Sequence, residues 1–412
     1  MLLHKSGSDI KLMQNMNTPI TKQEVLQFRA LTKGTAECIH FNNAGSSLPA
    51  DSVVNTVVDY LLDEAINGGY ETEFNYQAEL ENTYPLIARL INAETNEVAI
   101  VENASLGWGL AFNGIQFESG DEVITSEMEY STNLLGYLNA KQLYGIDIKY
   151  IEQDKNGNFP LADLESAITP RTKLIAVTHI ASGSGTMLPI VEIGAIAKKH
   201  RILYLVDACQ TIGHMPIDVK EINCDMLSVT GRKYLRAPRG TGFLFVKKDV
   251  QPMLKTFFMD SHTALWVSET EFRVRDDARR FELYEKNRGL CLGLSKAVEL
   301  ALSIGVDRIW QRVQMLGDLL RVELKKIPGV IVHDQGDLKC GIVTFSLAGV
   351  TAGDVKKILS ARRIHVSVAN AASTLLYMNH KHLDAIVRAS VHYYNTEEEI
   401  AIMCKILKSV GK

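Results

Sequence analysis

The sequence predicts an α/β protein: a mostly parallel seven-stranded sheet with helices on both faces, followed by a smaller α+β unit. Three observations carry this. Between about residues 97 and 246, short apolar runs alternate with helical periods, the signature of strand–helix–strand units. After residue 285 the pattern changes to two long helical periods and then to well-separated apolar runs. The chain has 412 residues, 46% hydrophobic and 22% charged, an ordinary globular composition in a chain too long for one core.

Taken in order, the first 20 residues are polar and loosely patterned and read as an arm. Residues 22–33 and 52–67 have amphipathic helical periods, on either side of an Asn-, Gly- and Ser-rich stretch from His40 to Pro49. Seven strand-like runs follow, at 98–101, 123–126, 146–151, 173–179, 202–208, 226–230 and 241–246. Helical periods fall between the earlier ones, at 105–117, 131–143, 160–168 and 190–200. The last third holds helices within 287–327, a strand at 342–347, a helix at 352–361, strands at 364–368 and 385–391, and a closing helix at 396–409. The expected division is an amino-terminal segment at 1–50 that reaches the active site, a large domain at 51–285 and a small domain at 286–412.

Composition also narrows the function. Acidic residues number 48 and basic residues 44, so charge offers no attraction to nucleic acid or an anionic membrane. The six cysteines are scattered. Even the closest pair, Cys209 and Cys224, gives no CxxC, zinc or iron–sulfur spacing, and no metal is expected. The amino terminus carries Lys5 and Asp9 with no apolar run behind them, so neither a signal peptide nor a membrane span is read, and the expected location is cytoplasmic.

In a parallel sheet of this kind the ligand sits at the carboxyl ends of the strands. Asp207 closes the apolar run LYLV, where a carboxylate is costly unless something cationic meets it. Lys233 follows the next run, behind Thr230 and Gly231. A lysine partly desolvated at such an end has a lowered pKa and becomes a nucleophilic amine. An acid for a pyridinium nitrogen and an amine for an aldehyde are the two groups that pyridoxal 5'-phosphate (PLP) requires. Singly, each residue is more simply a structural Asp or a surface Lys; jointly placed, they point to the cofactor.

The residues Asp207, Gln210, His214, Pro216, Asp218, Val219, Cys224, Asp225, Thr230, Gly231, Arg232, Lys233, Pro238 and Gly240 reproduce a pattern with correct spacing. In this the chain resembles the class V aminotransferases, the fold type I PLP family that includes the cysteine desulfurases. The likeness runs from about residue 40 to 405. It implies that Lys233 bonds the cofactor, that Asp207 keeps the pyridine nitrogen protonated and that Gln210 bonds the phenolic oxygen. Thr230 and Arg232 would bind phosphate, with Arg232 in place of the family histidine. Ser105, at the start of the helix after VEN, would join them at a helix amino terminus. Tyr130 stands where the family has a ring-stacking histidine, and Asn133 matches the family asparagine. Ser182 stands where the family has an asparagine that contacts cofactor or substrate. His179 reads as a satisfied core histidine. Arg388, in VRASVHYYNTEEEI, matches the arginine that binds the substrate α-carboxylate, a task suited to a planar fork. Asn43, in FNNAGSS, would line the substrate end. Glu285 replaces a threonine that reaches the phosphate across a subunit boundary; that contact is then lost or passes to Tyr284. A homodimer is implied.

Family desulfurases carry a mobile-loop cysteine that takes up sulfur, and the corresponding stretch, HVSVANAASTLLYMNH, has none. RKYLRAPRG, E-Y-x-x-N, GGY at 68–70 and Ala181–Ser182 are similar to hercynylcysteine sulfoxide lyases, and several of these features to isopenicillin N epimerase-like proteins. The expectation is therefore a C–S lyase that works by β-elimination on a cysteine S-conjugate or sulfoxide, releases pyruvate and ammonia and uses no persulfide cysteine. An aminotransferase or an amino-acid epimerase is the alternative. Arg236 and Arg239 face either the pocket or solvent.

Overall fold

The computed structural model describes residues 18–370 and 372–410. Most of the expected amino-terminal arm, up to residue 17, lies outside them. The chain opens with α1 (Lys22–Ala30), α2 (Gly34–Glu37), the short strand β1 (Ile39–His40), and helices α3 (Asp51–Asn67), α4 (Gly69–Asn75) and α5 (Gln77–Ile91). Helix α1 is closed by a capping box between Thr21 and Glu24. Helices α4 and α5 are not foretold by periodicity: α4 is mostly exposed, and Pro85 inside α5 mimics a helix stop.

The main sheet is built from β2 (Val98–Val101), β3 (Glu122–Ser126), β4 (Asp147–Ile151), β5 (Thr172–Thr178), β6 (Leu203–Asp207), β7 (Met226–Thr230) and β8 (Gly242–Val246). Its order is β2-β8-β7-β6-β5-β3-β4, seven strands as expected, and only β8 runs against the others. Apart from β4, the strands are buried almost end to end, which is why they read as continuous apolar runs. Between them lie α6 (Ala104–Gly114), α7 (Ser131–Tyr144), α8 (Leu161–Ala167), α9 (Ile190–His200) and α10 (Val219–Ile222). Parallel strands end on the same edge of the sheet, so the segments after β2, β3, β5, β6 and β7 meet there.

A hairpin, β9 (Ala264–Trp266) and β10 (Phe272–Val274), follows. Helix α11 (Arg288–Ile304) packs on α3 and α5, and α12 (Val306–Lys325) leads to a four-stranded antiparallel sheet of order β11-β12-β15-β14. Its strands are β11 (Val330–Val332), β12 (Ile342–Leu347), β14 (Ser367–Asn370) and β15 (Ala385–Ser390). Helices α13 (Ala352–Ser360), α14 (Leu375–His380) and α15 (Glu397–Val410) accompany it. Strand β13 (Ile364–His365) pairs in parallel with β1, tying the amino-terminal segment to the carboxyl-terminal sheet. Among the described residues no single helix is long and apolar enough to cross a membrane.

One glycine is fixed by close approach. A Cβ on Gly194, in α9, would stand 1.8 Å from the Ile222 carbonyl oxygen at the end of α10. Gly194→Ala is expected to destabilise the protein by about 1–3 kcal/mol or more, since the obstacle is backbone. Gly109→Ala, whose Cβ meets only the end of Asn113, is expected to be neutral or slightly stabilising. Denaturant unfolding of the two variants side by side checks this; equal midpoints would refute it.

Candidate active site

A cavity of about 340 Å³ opens at the carboxyl edge of the main sheet. Every residue expected at the cofactor, namely Ser105, Tyr130, Ser182, Asp207, Gln210, Thr230, Arg232 and Lys233, lines it. Asp207 is 6% exposed at the end of β6. One carboxylate oxygen accepts the Cys209 N–H at 2.9 Å, and the other accepts Nδ2 of Asn133 at 3.1 Å. The backbone just after β6 and a side chain of α7 therefore fix the direction in which this carboxylate faces.

Lys233 reaches in from the turn after β7. Its side chain is half-buried in the cavity wall, and burial pushes the amine below the ordinary lysine range; Cys209 and Asp207 pull the other way. Its Nζ lies 5.9 Å from the centre of the Tyr130 ring. A partly desolvated amine has a larger neutral fraction, the form that attacks a carbonyl.

The anion-binding end is assembled from two elements. Asn103 caps α6 by accepting the Leu106 N–H at 2.9 Å, so the cap is Asn103 and the Ser105 hydroxyl is spared that task. The first N–H groups of α6 point out of the helix, where an anion is favoured. Across the cavity, Arg232 Nη1 donates to Thr230 Oγ1 at 3.2 Å, placing a guanidinium and a hydroxyl together. Arg239 also lines the cavity, so of the two arginines after the lysine it is the one that faces the pocket.

Arg236 faces neither pocket nor solvent. It is 3% exposed, with Nε on the Leu48 carbonyl at 2.8 Å, Nη2 on Thr32 Oγ1 at 2.7 Å and Nη1 on the Tyr393 hydroxyl. Its guanidinium lies 4.7 Å from the Tyr394 ring centre.

Two expected substrate residues stand apart from the cavity lining. Arg388 Nη1 donates to the Ser182 carbonyl at 2.8 Å, and its Nε has no partner, so the guanidinium borders the rim. Asn43 is fully buried and its amide is consumed internally. Nδ2 donates to the Ser390 carbonyl at 2.7 Å and the His40 carbonyl at 3.2 Å, and Oδ1 accepts the Tyr394 hydroxyl. Fully buried and bonded at both ends of its amide, Asn43 braces the amino-terminal segment and does not line the cavity. The neighbouring Ala44 carbonyl accepts Nε2 of Gln210 at 3.1 Å. His179 is buried, with Nδ1 on Thr211 Oγ1 at 2.9 Å, and burial lowers its pKa to about 3, as suits a core histidine. Tyr284 and Glu285 are both exposed.

Sequence reasoning passed over Glu129. This glutamate is fully buried, accepts Asn133 Nδ2 at 2.8 Å and the Tyr130 N–H at 2.9 Å, and is bonded by Thr178. Burial, with the Asp207 charge behind it, raises its pKa to about 7. The signal was present in E-Y-x-x-N, whose first letter supplies it. Cys209 was passed over too: it is the one cysteine that lines the cavity, and burial pushes its thiol well above the usual range.

Gln210 Oε1, Ser182 Oγ and Arg388 Nε are buried with no protein partner. Buried polar atoms are normally satisfied, so orphans gathered around one cavity fit a polar ligand. An amine, a buried carboxylate and an anion-binding end fit PLP in particular. Fold and site together define a PLP enzyme of fold type I. The chain belongs to the class V aminotransferase family, whose model matches residues 39–403.

A relative from Methanothermobacter thermautotrophicus, named a probable cysteine desulfurase, is 30% identical over 90% of this chain and 94% of its own. The apo structure of a cysteine desulfurase from Thermococcus onnurineus superposes with a TM-score of 0.88 at 27% identity, covering 93% of this chain and 97% of that one. The cystine C–S lyase C-DES, in a variant with glycine covalently linked to its PLP cofactor, matches at a TM-score of 0.84 and 20% identity over 92% and 98% of the two chains, a likeness of fold. The cofactor is PLP.

These relatives correct the expectation of a C–S lyase that works without a persulfide. The names across most of the chain's length are those of cysteine desulfurases. A missing cysteine at 365–380 bears on where sulfur is received, and it says little about which bond breaks.

Because the Glu129 carboxyl is raised above its unfolded value of 4.5, the folded protein binds the extra proton between there and about 7. The contribution of Glu129 to stability is fully present below pH 4.5 and is lost as pH rises through that window, by up to about 3 kcal/mol. Buried His179 and His214, with pKa values lowered to about 3, act in the opposite direction over the same range. The Glu129 share is therefore read by difference: in denaturant unfolding of the cofactor-free proteins at pH 5 and pH 8, wild type is expected to gain less stability, or lose more, toward pH 8 than Glu129→Gln. Parallel profiles for the two proteins would refute the assignment.

Proposed function

We propose that this protein takes sulfur from L-cysteine: a cysteine desulfurase that yields L-alanine and passes the sulfur to an acceptor thiol as a persulfide. The observation that carries the reading is the 30% identity to a probable cysteine desulfurase over 90% of the chain, joined to the Lys233–Asp207 geometry. Bound PLP supplies an electron-withdrawing ring that acidifies the Cα–H of the amino acid attached to it. Asp207 holds the proton on the ring nitrogen. Lys233, neutral in part, takes and returns the substrate proton. Arg388, with Nε unpartnered at the rim, takes the substrate carboxylate. Thr230, Arg232 and the start of α6 hold the phosphate and fix the ring's orientation.

The segment around α14 reaches the site without a thiol: the Ser373 carbonyl accepts the Ser131 N–H at 3.1 Å, beside Tyr130. Cys209, the one thiol in the cavity lining, is buried and held well above the usual thiol range, which disfavours it as a nucleophile. The acceptor in this reading is therefore a thiol that enters from solvent. A homodimer belongs to the same proposal. Ile66 of α3, Phe74 of α4 and Trp266 of the hairpin are 79%, 74% and 78% exposed, which supports coverage by a second copy.

The purified holoenzyme, given L-cysteine and dithiothreitol, is expected to form alanine and sulfide in equal amounts. Lys233→Ala is expected to lower the rate by about 10²–10⁴-fold. Pyruvate and ammonia in place of alanine would overturn the reading. Sedimentation at micromolar concentration is expected to give a dimer, and a monomer would remove that part.

A further inference from the structure

Away from the cofactor cavity, β1 and β13 bring three metal-binding side chains together. Residue 38 has extended backbone (φ −151°, ψ 159°), so Cys38 and His40, two positions apart, project from the same face of one strand. The parallel pairing sets His40 directly beside His365, with ring centres 5.7 Å apart and planes at 89°. One ligand atom from each of Cys38, His40 and His365 lies within 4.8 Å of the others. Donors around a tetrahedral zinc ion stand roughly 3.3–3.8 Å apart, given metal–donor bonds of about 2.0–2.3 Å. Small side-chain rotations close the difference.

A second, independent observation concerns His40. It is only 9% exposed, and its Nε2 lies 2.9 Å from the Ser46 carbonyl, which fixes the proton on that nitrogen. Its Nδ1 is then a bare lone pair, buried and without a hydrogen-bond partner. A buried acceptor left unsatisfied is costly. An imidazole that donates one N–H to a carbonyl while offering the other nitrogen is the usual arrangement of a metal-bound histidine. His365 is exposed and Cys38 half-buried, so an ion can enter from solvent. Of the charged groups that act on Cys38, Glu37 is paired with Arg363 at 3.1 Å and Glu399 with Arg29 at 2.7 Å, so what favours a cation here is the three donors themselves.

We propose that Cys38, His40 and His365 form a binding site for a divalent zinc-type cation, with a fourth position open to solvent. A thiolate with two imidazoles suits zinc by donor type and geometry. The cysteine spacing carries no zinc motif because the third donor lies far along the chain and is delivered by strand pairing. The bound ion joins β1, which leads to the Asn43 segment, to β13, which leads into β14 and the rim of the active site. Its effect is to hold the amino-terminal segment against the carboxyl-terminal sheet.

The test uses untagged holoenzyme, equilibrated with zinc and then gel-filtered, with metal counted by mass spectrometry. About one zinc per chain is expected, with at least tenfold weaker retention in Cys38→Ser, in His365→Ala and in the milder His365→Gln. Cobalt(II) in the wild-type protein is expected to give intense tetrahedral ligand-field bands in the red, clear of the cofactor's absorbance, and Cys38→Ser to lose them. Zinc is expected to raise the melting temperature of the wild-type protein and leave that of Cys38→Ser unchanged. The cofactor absorbance of each variant reports that it is folded. No zinc retained by the wild-type protein, or equal retention by all variants with intact cofactor absorbance, would overturn the site.

Discussion

A carboxylate at the end of a fully buried strand has to be met by donors and by positive charge, and Asp207 is that carboxylate. The Cys209 N–H and the Asn133 amide hold its two oxygens. The Lys233 amine, on the turn after the next strand, lies within electrostatic reach of it. Behind them Glu129, in reach of the same amide, is raised toward neutrality because a second negative charge there would be unsupported. The site is thus arranged so that the acid facing the cavity is held by two donors while the acid behind it takes up a proton readily.

The anion-binding end follows from the sheet rather than from any one residue. Strands β2 and β7 are joined through the antiparallel β8, which brings the start of α6 opposite Thr230 and Arg232. A phosphate held there would set the distance of a bound ring from Lys233. Because the donors come from separate elements, the fold fixes the cofactor's position before any substrate arrives.

Much of this was legible in the sequence. The seven-stranded sheet could be read because buried parallel strands leave apolar runs. The cavity residues could be read because motif letters at strand ends map onto one edge of such a sheet. What escaped reading depended on long-range contact. Asn43 sits in a motif, yet the closing residues Ser390 and Tyr394 take up its amide. Arg236 follows the lysine, and only the packed structure sends it to Thr32 and Leu48. Helix α5 was hidden by Pro85. The reaction was not legible in the thiol missing from 365–380, because that stretch bears on sulfur transfer while the whole chain resembles cysteine desulfurases.

The Arg236 clamp also bears on the order in which the molecule is completed. Three residues beyond Lys233, it grips Thr32 and Leu48 near the start of the described chain and Tyr393 near its end. The turn that carries Lys233 is therefore held from two sides, by the segment at 32–48 and by the residues that follow β15. It is locked only once both have docked, so loss of packing at either would loosen the cavity wall from a distance.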